Sequence, residues 1–254
     1  MAAEHGMARE LRIRPLTGIP ELREGDELGG LIASAAEPAG DEIVVISQKA
    51  VSKVEGRVRP LAEVKPGERA RAVAAQVDKD PALVELVLSE SRRIVRAARG
   101  VLITETKSGW VCANAGIDAS NLDEGSVSLL PEDGDASARR IRAEIAHASG
   151  ATPAVVIADS FGRAWRVGQA DVAIGCAGLP PLADWRGRRD QHGRELSATH
   201  IALADELASA ADLVRDKDSG VPGAIVSGLG DLVMADDGPG ASAIPREAED
   251  DLFR

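Results

Sequence analysis

Tyrosine is absent from the 254-residue chain, and two phenylalanines and three tryptophans are its only large aromatic side chains. A core this short of rings has to be filled by Ala, Val, Leu and Ile. Cysteine is equally scarce. Cys112 and Cys176 lie far apart, in no metal-binding or redox spacing, which excludes a disulfide scaffold. Both sit among small residues, as buried thiols do, and a reducing cytoplasm is the expected compartment. No apolar run approaches the ~20 residues of a membrane-spanning helix. Residues 1–10 carry no apolar stretch of the signal-peptide kind and are expected to form a loose tail. Positive charge is also in deficit. Thirty Lys and Arg against 41 Asp and Glu leave a net charge of −11, which argues against a nucleic-acid surface as the main function. A single nucleotide is not excluded, because it needs only a few local cations or a metal. Two phosphate-binding patterns are missing as well: Gly-x-x-x-x-Gly-Lys-Ser/Thr, and a strand–GxGxxG–helix unit. The four histidines form no zinc spacing, and no internal repeat has a fixed period.

What is present is an ordinary globular composition, 44% hydrophobic and 28% charged, long enough for one large domain or two small ones. Strands are expected at 11–16, 42–47, 101–105, 109–113 and 223–227, with 109–113 pairing back on 101–105 across a turn at Lys107 to Gly109. Helices are expected at 28–36, 66–77, 81–91, 135–148 and 197–213. Asp135 or Ser137 would cap the fourth and Ser197 the last. The arginines of 92–99 read as a solvated charge run. Residues 168–181, rich in Gly and Ala, read as closely packed backbone. His192, in the polar loop 184–194, reads as a surface residue. After Gly228 the chain is acidic and rich in Gly and Pro, so 231–254 reads as a loop or linker.

Three stretches carry possible chemistry. In Ala154-Val-Val-Ile-Ala-Asp-Ser-Phe-Gly-Arg-Ala-Trp-Arg166, a buried strand ends in Asp159 and Ser160. The C-terminal edge of a buried strand is where open α/β sheets place ligands. A carboxylate beside a hydroxyl is a pair of hard oxygen donors, the kind Mg²⁺ and Mn²⁺ prefer. Arg163 and Arg166 could clamp a phosphate or carboxylate. The plainer alternative is a strand end with an Asx-turn and surface arginines. Residues 42–57 repeat the pattern, a buried strand running into Gln48-Lys49 and Lys53, with a solvated strand end as the alternative. Residues 114–121 set Asp118, Asn114 and Asn121 among small residues that let a ligand approach, or that simply build turns.

Five motifs taken in order resemble the coenzyme F420:L-glutamate ligase family. They are Leu16-Thr-Gly-Ile-Pro-Glu-Leu22, Ser47-Gln-Lys-Ala-Val-Ser-Lys-Val-Glu-Gly-Arg57, Ala115-Gly-Ile-Asp-Ala-Ser-Asn121, Asp159-Ser-Phe-Gly-Arg-Ala-Trp-Arg166 and Ala204-Asp-Glu-Leu-Ala-Ser-Ala-Ala-Asp-Leu-Val214. The resemblance spans roughly residues 11–230, and is strongest to the ligase domains of actinobacterial bifunctional proteins. Those proteins continue into a flavin-binding reductase domain, which would begin about at residues 250–254. The chain is therefore expected to be either a free-standing ligase or the ligase part of a longer protein.

The resemblance implies an α+β fold of mixed sheets with flanking helices, neither Rossmann nor P-loop, in which residues 11–230 form the ligase domain, in one piece or as two intertwined subdomains. It also implies a homodimer, GTP-dependent addition of L-glutamate to the deazaflavin F420-0 through an acyl phosphate, and release of GDP and phosphate. The cofactors implied are two divalent ions, Mg²⁺ or Mn²⁺, with K⁺ as a further candidate. Position by position, Asp118, Asp159 and Ser160 match metal ligands. Ile19, Pro20, Glu21, Leu22, Gln48, Lys53 and Asn121 match nucleotide contacts. So does the loop Val214, Arg215, Asp216, Lys217, Asp218, Ser219, Gly220 and Val221. Asp216 stands where the family often has a metal-contacting Gly, so either its backbone or its side chain is the candidate ligand. Arg163 and Arg166 are assigned to the acidic substrate by charge alone. Two other readings are a nucleotide- and metal-binding module without turnover and a metal-dependent phosphatase. No nucleic-acid or membrane partner is expected.

Overall fold

The computed structural model describes residues 9–247 and 249–252. The tail expected over 1–10 lies outside the described residues up to residue 8. The chain begins with β1 (Arg12–Pro15), α1 (Leu28–Ala36), β2 (Ile43–Ser47), α2 (Gln48–Val54) and β3 (Val58–Pro60). Next come α3 (Glu68–Val77), α4 (Pro81–Ser89), β4 (Ser91–Ala98), β5 (Val101–Thr106), β6 (Val111–Ala113) and β7 (Ser126–Ser128). The last elements are α5 (Gly134–Ser149), β8 (Ala154–Arg163), β9 (Arg166–Ala177), β10 (Ala183–Asp184), β11 (His200–Ile201), α6 (Leu203–Asp212) and β12 (Gly223–Ser227).

The main sheet runs β1-β12-β2-β8-β9. Only β2 and β8 are parallel; the other neighbours are antiparallel, so the sheet is mixed and the fold is α+β. Because strand side chains alternate, Val44 and Ile46 face one side and Ile43 and Val45 the other. The first side is covered by Leu28 and Ile32 of α1 with Ile141 and Ile145 of α5. The second is covered by Leu203, Leu207 and Ala211 of α6. Both faces are buried, which is why these strands read as unbroken apolar runs. Helix α5 lies close on β9 because glycine meets glycine. A Cβ on Gly134 would stand 2.2 Å from the Ile174 carbonyl, and one on Gly175 2.2 Å from that of Gly134. A third core, built from Ala70, Ala74, Val84, Val87 and Leu102, lies with α3, α4 and the separate sheet β4-β5-β6.

Several local expectations change. The arginine run is strand β4, with Arg93 paired to Glu105 at 2.8 Å. Its arginines are exposed, as expected, but two register shifts against β5 break the inward–outward alternation by which a strand is recognised. Strand β8 does not stop at Ser160 but continues to Arg163, and the Gly- and Ala-rich stretch is its antiparallel partner β9. Helix α6 starts at Leu203 rather than 197, because His200 and Ile201 are taken by β11. Asp133, not Asp135 or Ser137, caps α5, its side chain accepting from the Ala136 amide at 2.9 Å.

Asp135 is buried instead. Its Oδ1 accepts from the Cys176 and Ala241 amides at 2.9 and 2.7 Å, and its Oδ2 from the Ser242 amide at 3.1 Å. From the same helix, Arg142 donates to the Met234 and Asp236 carbonyls. Residues 234–242 thus run against α5. No helix of the described residues is long and apolar enough to cross a membrane.

Candidate active site

The parallel pairing of β2 with β8 stops at Ser47 and Ala158, and there the end of β2 and the continuing β8 open into one cleft of about 720 Å³. That is the size of an ordinary small-molecule pocket. Four segments converge on it: 19–22, 47–53, 112–121 and 215–222, with 158–162 as the β8 contribution.

Each wall has a local cause. At the end of β2 the Ser47 side chain accepts from the Ala50 amide, capping α2 and turning the polar run 48–53 into a helix. Gln48, 1% exposed, has its Oε1 satisfied by Ser52 Oγ at 2.9 Å while its Nε2 has no hydrogen-bond partner. An unpaired buried amide donor is costly, so a group bound in the cleft would relieve it. Lys49 Nζ pairs with Asp118 Oδ2 at 2.8 Å, and Lys53 Nζ with Glu21 Oε1 at 2.6 Å.

The opposite wall is strained. Asn114 and Ala115 have φ of 51° and 54°, the left-handed region that residues with a Cβ avoid. Asn114 Oδ1 is a second buried polar atom without a partner. Backbone hydrogen bonds to Ser128 pin Asp118. Burial works to raise its pKa, but hydrogen bonds from Lys49 and Ser120 outweigh that and hold the carboxyl below its ordinary value. Asn121 Nδ2 donates to the Lys217 carbonyl at 3.0 Å, tying this wall to the loop 214–221.

Asp159 follows a bulge. Ile157 pairs with Gly175 but Ala158 with Ala173, leaving Ile174 as the extra residue of β9. Burial pushes the Asp159 carboxyl up to about 7, and the neighbouring carboxylates of Asp171 and Asp118 add to the rise. Lys49 opposes it but is already ion-paired with Asp118. An anionic pocket of this kind suits a cation. The donors are two carboxyls, Asp118 and Asp159, and the hydroxyl of Ser160. Among the described residues no three His, Cys, Asp or Glu converge into a cage. Mg²⁺ is bound through one or two carboxylates plus water and substrate phosphate, so these oxygens fit it without a cage.

Of the residues singled out in the sequence, Ile19, Pro20, Glu21, Leu22, Gln48, Lys53, Asp118, Asn121, Asp159 and Ser160 all line this cleft. Arg215, Asp216, Lys217, Asp218, Gly220 and Val221 do so too. Val214 and Ser219 do not. Val214 packs on the core under α6, and Ser219 closes a turn by donating its amide and hydroxyl to the Asp216 carbonyl at 3.0 and 2.6 Å. The Asp216 carboxylate is exposed and does not gather with those of Asp118 and Asp159.

Arg163 and Arg166 are not brought to the cleft. They sit at the exposed tip of the β8–β9 hairpin, where Arg163 Nη2 donates to the Val167 carbonyl at 3.0 Å. Among further residues lining the cleft that were given no role in the sequence are Lys49, Ser120, Gln169, Asp171 and Asp212. A carboxylate inside the apolar stretch 170–174 was the available signal for Asp171. Cys112 is buried on the cleft wall with its thiol pushed up to about 12, first by burial and then by Asp159.

The family described as F420-0:gamma-glutamyl ligase matches residues 18–228 of the chain. The chain is similar to the coenzyme F420:L-glutamate ligase of Methanothermobacter thermautotrophicus, 43% identical over 243 residues, covering 93% of this chain and 96% of that protein. To the protein of the same name from Methanopyrus kandleri it is 44% identical over 246 residues, covering 96% and 98%. The Archaeoglobus fulgidus protein of that name is 39% identical over 245 residues, covering 96% of each.

Proposed function

The chain belongs to the F420-0:gamma-glutamyl ligase family, and we propose that it joins L-glutamate to coenzyme F420-0 by amide formation driven by GTP. The carrying observation is the convergence of segments 19–22, 118–121 and 215–221 on the place where β2 stops beside β8, in a single cleft.

A carboxylate is a poor acyl donor, so it has to be activated. In the proposed reaction the γ-phosphoryl group of GTP passes to the F420-0 carboxylate, giving an acyl phosphate and GDP. The glutamate amine then attacks the acyl carbon, loses a proton and expels phosphate. Repetition on the γ-carboxylate extends the tail. Such transfers are catalysed mainly by positioning and charge neutralisation. Two divalent ions held by Asp118, Asp159 and Ser160 would supply that neutralisation at the phosphoryl oxygens.

The chain's own residues do the rest. Lys53, on the cleft wall and paired with Glu21, would meet a phosphate as a point charge. The free Nε2 of Gln48 offers a donor to the nucleotide. Lys49 keeps Asp118 ionised and turned into the cleft. Asn121 fixes the Lys217 carbonyl and so sets the loop that would close on the nucleotide.

Mass spectrometry of F420-0 incubated with enzyme, GTP, Mg²⁺ and L-glutamate is the test. The expected product is heavier by one or more glutamyl units. Nucleotide binding with no new mass would leave a binding module without turnover. GTP hydrolysis that ignores glutamate would make the protein a phosphatase.

A further inference from the structure

Asp171 is the most enclosed carboxylate of the cleft, 2% exposed. Its neighbours along β9 are Ala170, Val172, Ala173 and Ile174, an environment that penalises a charge unless each oxygen is paired. Each is. Oδ1 accepts from Ser160 Oγ at 2.6 Å, and Oδ2 receives the guanidinium of Arg215. The Asp171 carbonyl also accepts from Ser209 Oγ of α6 at 2.7 Å.

The two carboxylate contacts reach different walls of the cleft. Ser160 is the cross-strand partner of Asp171, so sheet register fixes that distance. With its proton committed to Asp171, the Ser160 hydroxyl has only lone pairs left to offer a cation. Arg215 is the second residue of the loop 214–221, and its Nη1 also donates to the carbonyl of Pro222, at 3.4 Å, just past the loop's end. One carboxylate therefore grips the β8 hydroxyl and the root of the loop together.

We propose that Asp171 is a positioning residue: by holding Ser160 and Arg215 at once, it sets the loop 214–221 against the end of β8 in the arrangement that receives the nucleotide. The function assigned to the loop rests on the nucleotide reading above; the mechanical role of Asp171 does not. Asp171→Asn keeps the shape and an acceptor for Ser160 but discharges the nearer carboxylate partner of a buried arginine, leaving only Asp212 at 3.8 Å.

The test has two arms. The first is amide hydrogen exchange of the protein without metal or nucleotide. In Asp171→Asn, exchange in 214–221 should quicken by at least about tenfold, while the amides of β2 and α5 stay as in the parent. The second is steady-state kinetics. The KM for GTP should rise by about tenfold or more, with the KM for L-glutamate within about twofold of the parent. Adding Arg215→Gln to Asp171→Asn, which replaces the ion pair by a neutral hydrogen-bonded pair, should recover part of the loop protection. If Asp171→Asn does not fold, Arg215→Lys loosens the same contact from the loop side and should show the same exchange pattern.

Unchanged exchange in 214–221 overturns the proposal. So does quickened exchange spread evenly over the whole chain, which marks a merely structural carboxylate. If the parent binds no GTP at all, the nucleotide reading fails while the exchange arm still decides the role of Asp171.

Discussion

At the residue scale the cleft turns on the contrast between two aspartates. Asp118 has a lysine and a serine that hold its carboxyl below the ordinary value; Asp159 is partly buried, and desolvation with help from neighbouring carboxylates pushes its carboxyl up to about 7. A group that binds a proton more tightly folded than unfolded makes the native state less stable as pH rises between the two pKa values. Without divalent ions, stability to urea should therefore fall as pH rises from the ordinary carboxyl value of 3.8 to about 7. Asp159→Asn removes that ionisation and should flatten this part of the profile. With Mg²⁺ and substrates, the same variant should lose turnover by several orders of magnitude, since neutralisation at a metal centre is worth several kcal/mol. Parallel urea titrations and initial rates check both. Asp159→Asn with parental activity would remove it from the metal site. Asp159 and Ser160 stood out in the sequence because a carboxylate at the end of an apolar run is conspicuous; Asp118, in a stretch of small polar residues, was picked out as a metal ligand only by the family resemblance, and all three line the cleft. Asp171 was not, since its role depends on a strand pairing that only the fold reveals. Arg163 and Arg166 were chosen for charge, and charge alone does not say which way a hairpin points.

At the element scale, buried strands and helices with a plain apolar face were readable from period and punctuation. Helix α1 runs over the expected residues, and the β5–β6 pairing is the expected one. What failed was any element whose sequence carried a competing signal. Broken alternation masked β4, and glycines needed for contact with α5 masked β9. Helix α5 also shows why capping has to be seen in three dimensions. Both Asp133 and Asp135 could cap it; Asp133 does, which leaves Asp135 to hold three backbone amides. Asp135→Ala orphans all three in a buried place. The expected loss is about 3 kcal/mol or more, a fall in Tm of roughly 6–12 °C. Differential scanning calorimetry measures it directly. A Tm within a degree or so of the parent would mean that 240–242 contributes nothing to the fold.

At the scale of the whole molecule, β8 and β9 extend past the sheet edge as a hairpin, with Val167 99% and Trp165 81% exposed at its tip. The family resemblance implies a homodimer, independently of this hairpin. Light scattering at micromolar concentration should return twice the mass of one chain, and a mass of one chain would contradict it.

On the proposed reaction, one cleft couples nucleotide cleavage to amide formation. The most direct measurement follows GDP release from purified enzyme with GTP and Mg²⁺, adding L-glutamate and F420-0 singly and together. Phosphoryl transfer needs the F420-0 carboxylate, and completion of the cycle needs the glutamate amine. GDP should therefore accumulate over many turnovers only with both present. Sustained GDP release with neither, or with glutamate alone, would contradict the coupling.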